Sequence, residues 1–492
     1  MRQALHIFRK DIRLLWPEIE ISLLMVAAFT WLANRHAPLW PGIAVSQTEV
    51  LETAKFLLPL AGLILIARVI HAEALPGDRQ FWRTRPYAWH SLLGAKALFL
   101  VAFVNIPMLV ANAVIIHASG FSLWAEWPGL LWSQVLLTAA FVLPVAALSA
   151  LTGGFVQLSS AILILAAAVV AVAAPWSGAG SGLGSWGALD WVRSSYAIGF
   201  IAIAALAIVT WQYARLKTAA ARSVGAAAWA IVLLGSVWMP WTAAFAIQSR
   251  LSKERVDPSS LHIGFDFGRS SLARALPVKG DRVQIDLPLL IMGIPSGRSV
   301  KSDGFSVVIE ARDGNAWRSE PQPWGYVISE GSVTTLQTTV PGSFYRKVKD
   351  EPVAIRGTLY LTMFGNPQTA RIPFESRFES RPVPAPGVGL CSAQQMDDGK
   401  GYFVLCAHPF RSLAGIVSVY FDDFRTIAHG ESISYSPFPA ELKFDPVSLY
   451  LASSSRALVS TVLITNQEPL AHIRRDFELV GLRLSDFGPS RM

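Results

Sequence analysis

Charge is the first shortage. Asp, Glu, Lys and Arg make up 15% of the 492 residues, where soluble globular domains carry about 25%. With 52% hydrophobic residues and a mean hydropathy of +0.41, that deficit excludes an ordinary soluble protein and points to a membrane. Catalytic signatures are missing too. There is no Gly-x-Ser-x-Gly, His-Glu-x-x-His or Cys-x-x-Cys, each of which carries a defined chemistry. His262, His408, His429 and His472 are dispersed without ligand spacing, and Asp397-Asp398 and Asp422-Asp423 are adjacent pairs that would face opposite ways in a strand. No phosphate-binding Gly-x4-Gly-Lys-Ser/Thr loop occurs, so this chain is not expected to hydrolyse ATP. No enzyme activity, cofactor or metal site is expected of it.

What the chain does have is unevenly placed. Up to about Ser249 it is a series of apolar runs; beyond, charges, prolines and alternating patterns take over. A span needs about 20 mostly apolar residues. The runs at 18–34, 51–70, 92–116, 128–151, 156–175, 194–214 and 224–248 predict about seven transmembrane helices, the fourth and fifth joined by a tight reversal at Thr152-Gly153-Gly154. Strongly polar side chains inside these runs are few: Asn105, Asn112, Gln134 and Gln157. No buried Asp/Glu/His relay is present, which argues against an ion-coupled carrier. The asparagines are expected to bond helix to helix.

Lys and Arg set the orientation. Arg2, Arg9, Lys10 and Arg13 precede the first run, Arg79, Arg83 and Arg85 follow the second, and Arg215, Lys217 and Arg222 follow the sixth; the alternate loops are nearly bare. With seven spans this puts the N-terminus in the cytoplasm and everything after Ser249 outside. The formal charge of +8 thus belongs to topology, and nucleic acid is not an expected partner. The N-terminal segment is not expected to be a cleaved signal peptide.

Two basic elements stand out. In residues 1–16, Leu5, Phe8, Ile12 and Leu15 share one helical face and Arg2, His6, Arg9 and Arg13 the other. This is an amphipathic helix suited to the cytoplasmic headgroup layer and its lipids, as an anchor or as a partner-binding element. Residues 71–90, between the second and third spans, are short, basic and aromatic. Such a loop is a topology signal, or a handle in which Arg79, Arg83 and Arg85 meet acidic groups while Phe81, Trp82, Tyr87 and Trp89 anchor a partner.

These parts, in this order, resemble the permease subunits of ABC-2 type transporters. The resemblance rests on Gly77, Phe81, Trp82, Thr84, Arg85, Pro86 and Lys96, on His6-x-x-x-Lys10-Asp11-x-Arg13, and on the six-span core, and covers about residues 1–220. It implies a bacterial inner-membrane protein working as a homodimer or with a related permease. It also implies a coupling helix in the loop after the second span, docked on a separate cytosolic ATPase. Gly77, Arg79, Phe81, Trp82, Arg83, Arg85 and Pro86 would form that contact. The outer loop from Pro175 to Trp191 would be partly re-entrant. The sequence departs from the six-span pattern by an added span and a large C-terminal unit.

That unit predicts a β-sandwich-like domain. Val283–Ile291, Phe305–Ala311, Val353–Phe364, Tyr402–Leu405, Gly415–Phe421 and Phe477–Leu484 are rich in strand-forming residues and separated by turn residues. Segments 311–325 and 376–390 are expected connections, the second dividing two lobes. The two cysteines, Cys391 and Cys406, both fall here, as one disulfide closing a hairpin or as two unpaired core thiols.

The expected organisation is an interfacial helix at 1–16, a membrane core at 17–220, an added helix at 221–249 and an extracytoplasmic β domain at 250–492. The expected function is the permease subunit of an ATP-driven transporter, an exporter. The alternative is a membrane-anchored extracytoplasmic sensor or assembly protein with no ATPase partner. A membrane enzyme fits least, since no paired carboxylates sit at the span ends. The topology predicts that an impermeant thiol reagent applied to intact cells labels Ser259→Cys and spares Thr218→Cys; labelling at Thr218→Cys alone would invert it.

Overall fold

The computed structural model describes residues 2–35, 45–72, 88–177, 189–215, 218–266, 273–278, 280–328, 330–373, 383–395, 401–409, 413–421, 424–432, 443–450 and 461–487. The first half is helical: α1 (Arg2–Leu14), α2 (Trp16–Arg35), α3 (Val45–His71), α4 (Trp89–Leu100), α5 (Ile106–Ala118), α6 (Leu123–Leu137), α7 (Leu143–Leu151), α8 (Phe155–Ser177), α9 (Asp190–Arg215), α10 (Thr218–Trp238) and α11 (Trp241–Arg250). A π-helical turn, Val101–Asn105, joins α4 and α5 into one rod; another, Thr138–Val142, joins α6 and α7. Asn105 Nδ2 donates to Thr138 Oγ1 at 2.9 Å and to Gln134 Oε1 at 3.4 Å, so the two irregular turns are bonded to each other.

Among the described residues, five helices are long and apolar enough to cross a membrane: Trp16–Asn34, Trp89–Ala118, Leu123–Leu151, Trp191–Arg215 and Thr218–Gly235. Phe56–His71 and Phe155–Ala171 are shorter apolar segments within α3 and α8. Exposed tryptophans mark both ends of the bundle, Trp16 and Trp89 at one and Trp31, Trp124, Trp127 and Trp238 at the other, the placement of membrane-interface belts. The last apolar run does not form one helix from 224 to 248. Pro240 takes an extended conformation (φ −67°, ψ 137°) and caps a separate α11. Proline lacks an N–H and biases its predecessor away from helix, so α10 stops at Trp238.

The second half is β-rich: β1 (His262–Phe265), β2 (Arg274–Val278), β3 (Arg282–Met292), β4 (Ser299–Ala311), β5 (Ala316–Arg318), β6 (Gln322–Ile328), β7 (Val333–Pro341), β8 (Pro352–Phe364), β9 (Gln368–Pro373), β10 (Val383–Ala385), β11 (Gly389–Gln395), β12 (Gly401–His408), β13 (Leu413–Phe421), β14 (Phe424–Ser432), β15 (Lys443–Tyr450), β16 (Thr461–Gln467) and β17 (Pro469–Arg483). A short helix, α12 (Gly342–Val348), separates β7 from β8. The expected strands fall on β3, β4, β8, β12, β13 and β17. Segment 311–325 is no plain connection, for it contains β5 and the start of β6.

One sheet runs β1-β3-β2 with β7 on β3; a second runs β17-β8-β4-β5 with β6 on β4. They enclose one core. Ile285, Leu287, Leu289 and Ile291 on β3 face Ile355, Leu359, Leu361 and Met363 on β8, all fully buried, as strand periodicity of two requires. On β4 the parity changes: Val300 points into the core, and then Phe305, Val307 and Ile309 do. A bulge between Ser302 and Gly304 makes the switch.

Strands β10-β11-β12-β15 and β14-β13-β16-β9 form two further sheets. These are not simply the end of the chain split off near 376–390. β17 returns to the first sandwich, so the second lobe is an insertion that leaves after β8 and comes back before β17. Its neck is clasped: Gly365 N donates to Glu468 O at 2.9 Å, and Gln467 Nε2 donates to Gly365 O at 2.9 Å.

The bulge also positions the joint between the two halves. The outer face of the second sheet carries Tyr360, Thr362 and His472, and α11 lies across it. Trp241 and Phe245 stack at 5.7 Å and both meet Tyr360 edge-on, at 4.7 and 5.0 Å. A Cβ at Gly304 would come within 2.9 Å of the Trp241 ring, so only glycine admits this approach. Beneath runs a buried polar chain. Gln248 Nε2 lies 3.2 Å from His472 Nε2, His472 Nδ1 lies 2.7 Å from Thr362 Oγ1, and Thr362 bonds Asp303 Oδ2. The donors run in one direction: Gln248 amide to a neutral imidazole, imidazole N–H to hydroxyl, hydroxyl to carboxyl.

Burial pushes Asp303 up to about 6, against the opposing hydrogen bond from Thr362 and the charge of Lys301. Burial pulls His472 down to about 4. Between roughly pH 4 and 6, folded Asp303 holds a proton that the unfolded chain lacks, so its contribution falls as pH rises. Over much the same window the unfolded chain holds a proton that folded His472 lacks, so its contribution rises. The two offset each other. Relative to wild type, Asp303→Asn should therefore gain melting temperature from pH 4 to 6, and His472→Gln should lose it, in thermal melts of the full chain in detergent.

Candidate functional site

Most of the basic residues of the described helices lie at one end of the bundle, with Arg35 and Arg193 at the other. The elements meeting at the basic end are α1, the start of α2, the end of α3, the start of α4, the turn between α7 and α8, and the facing ends of α9 and α10.

Helix α1 buries Ile7 and Asp11, and Leu15 just past its end continues the i, i+4 stripe, with Phe8 and Ile12 partly buried beside it. Arg2, His6, Arg9 and Arg13 are exposed on the other side. The apolar face is turned from the expected one, leaving Leu5 44% exposed. The reason is Asp11, whose Oδ2 accepts from Lys96 Nζ of α4 at 2.8 Å, with the two side chains 0% and 1% exposed. Phe8 packs beside the pair, edge-on to Phe99 at 6.4 Å and stacked on Phe103 at 6.1 Å. Helix α1 is thus seated on the protein itself, with its basic face outward. Lys96 and Asp11 both belong to the motifs noted in the sequence; their pairing across 85 positions was not visible there. The legible signal is a carboxylate at the centre of an apolar i, i+4 stripe.

The reversal at Thr152-Gly153-Gly154 forms the second cluster. The last carbonyls of a helix have no intrahelical donors, and those of α7 are met by two other helices and by its own cap residue, Thr152. Leu151 O accepts from Arg222 Nε and Nη2 at 3.0 and 2.9 Å. Ser149 O lies 3.0 Å from His71 Nε2, and Thr152 Oγ1 donates to Leu148 O at 2.9 Å. Gln157 Oε1 accepts from Gly153 N at 2.7 Å. Arg222, expected in a loop, lies inside α10 and joins α10 to α7. Arg68 pairs with Glu18 at 3.0 Å, linking α3 to α2 at the same end.

The loop residues Gly77, Arg79, Phe81, Trp82, Arg83, Arg85 and Pro86 lie outside the described residues, as do Thr84 and most of the Pro175–Trp191 segment. The loop's two ends are set by α3 closing at His71 and α4 opening at Trp89. In the β domain, Cys391 and Cys406 stand directly opposite each other on β11 and β12. Cys391 is fully buried and disulfide-bonded, and Cys406 is the one other cysteine in the chain.

The fold and this face define a helical, apolar, membrane-type domain joined to a β-rich domain. No family model matches the chain, and no curated protein matches it. Among solved structures, a red sea bream transglutaminase is similar at 10% identity and a TM-score of 0.14, over 49% of this chain and 33% of that one. A likeness that slight carries no argument about fold or activity.

Removing one partner of a buried ion pair strands the other charge, at a cost of ~3–5 kcal/mol. Asp11→Ala and Lys96→Met should each destabilise the bundle by that order in detergent unfolding. The double variant Asp11→Leu/Lys96→Met should recover most of the loss.

Proposed function

We propose that this chain is the membrane subunit of an ATP-driven transporter of the ABC-2 type, an exporter working as a homodimer or with a related permease. The observation that carries the reading is the seating of α1 by the Asp11–Lys96 pair. It sets a basic helix beside the ends of α3 and α4, from which the loop at 71–90 springs. On this reading Arg79, Trp82 and Arg85 engage a separate ATPase, and α1 flanks that contact.

Seven spans fit the helix lengths. Helices α3 and α8 have 27 and 23 residues, which at about 1.5 Å per residue exceed the ~30 Å hydrocarbon core. With the basic end in the cytoplasm, α10 then leads to an extracytoplasmic β domain in a bacterial inner membrane. A disulfide at Cys391 accords with that compartment.

The test is co-purification, in detergent, with candidate P-loop ATPase subunits from the same genome. Arg79→Ala/Trp82→Ala/Arg85→Ala together should weaken the complex by at least tenfold. Undiminished binding would remove the docking role. The rival reading, a sensor without an ATPase, draws on the packed α11 joint and predicts no such complex at all.

A further inference from the structure

A cleft of about 690 Å³ lies between α7, α8, α9 and α10. Its size is that of a small-molecule site, and its lining is graded. Thr152, Gln157 and Arg222 line it at the basic end; Ile164, Trp229 and Leu233 line it deeper in. From Arg222 to Leu233 is about 16 Å of helix at 1.5 Å per residue, close to half of a ~30 Å hydrocarbon core. The cleft is therefore one leaflet deep, polar at headgroup level and apolar toward the midplane.

Among the described residues, Arg222 is the single charged residue of the lining. The residue is exposed, and its guanidinium is held in place by two part-buried bonds to Leu151 O. Among the described residues no carboxylate pairs with it. Gly225, one turn on, lets α10 approach closely, since a Cβ there would come within 3.3 Å of Leu151 Cδ1 and 3.5 Å of Ile208 Cδ1. Beyond that contact the cleft is kept open by small side chains such as Ala204 and Ala226.

We propose that this cleft binds one acyl chain of an anionic phospholipid from the same leaflet, with its phosphate at Arg222. A fixed cation at the mouth of a leaflet-deep apolar slot matches a negative headgroup above a hydrocarbon tail. A neutral lipid would fill the slot and leave the cation unused. The inference needs only that α7 to α10 cross a membrane. It stands whether or not an ATPase docks on the loop.

The full chain, purified in a neutral detergent, would be titrated with phosphatidylglycerol or phosphatidylcholine of identical chains and read by native mass spectrometry. Wild type should prefer phosphatidylglycerol. One cation at a membrane surface is worth on the order of fivefold in affinity. Arg222→Gln should lose that preference while phosphatidylcholine binding stays the same, and Arg222→Lys should keep it. Ala226→Phe, which fills the slot and spares the cation, should weaken both lipids by about tenfold or more. Equal binding of the two lipids by wild type would overturn the proposal. So would an Ala226→Phe variant that splits a dimer without changing lipid binding, for the cleft would then belong to a second copy of the chain.

Discussion

One buried ion pair governs the arrangement of the helical half. Lys96 is the sole strongly basic residue on α4, and Asp11 is the sole acid on α1. Neither is stable alone in an apolar core, because an isolated buried charge costs several kcal/mol. Apolar packing alone would let α1 slide along α4 or roll by one position at small cost. The pair forbids both, since any other register strands two charges. Specificity, more than net stability, is what it contributes. The rest of the basic end follows: the outward arginines of α1, the start of α4 and the springing points of the connecting loop.

The remaining constraints are backbone constraints met by side chains. Helix α7 ends within the bundle, and its last carbonyls draw donors from α3 and α10 in place of water. At the other end of the bundle, a β-bulge at Ser302–Gly304 turns Asp303 out of the sandwich core and leaves glycine where Trp241 must fit. The same one-residue irregularity therefore serves the sheet, the polar chain to Gln248 and the aromatic joint. Together these features tie the last apolar helices to the sheet by packing on one layer and hydrogen bonds on the next.

What was legible from the sequence depended on how local the cause was. The apolar runs were plain because a span is defined by its own residues. Strands β3 and β8 were plain for the same reason, being long, alternating and bounded by turns. The break before α11 was less so: Trp241 to Ile247 is as apolar as a span, and only Pro240 gave a sign of the stop. The first half of β4 was hidden, because Lys301, Ser302 and Asp303 look like turn residues and are buried only by virtue of partners on other strands. The seating of α1 was hidden in the same way, its face set by a lysine 85 positions away. The return of β17 to the first sandwich was not readable, since nothing local records which sheet a strand joins.

The clasp at Gly365 and Glu468 has a consequence for how this protein can change over time. A lobe that leaves and re-enters its host at adjacent, hydrogen-bonded positions is a cassette. It can be lengthened, exchanged or lost without unpairing β8 from β17, because the host strands meet across the gap whether or not anything is inserted there. The first sandwich and the helices joined to it form the chassis in that sense. The inserted lobe is the part whose surface can change while the host pairing stays, apart from where Leu390 on β11 reaches the turn at Gly120 between α5 and α6.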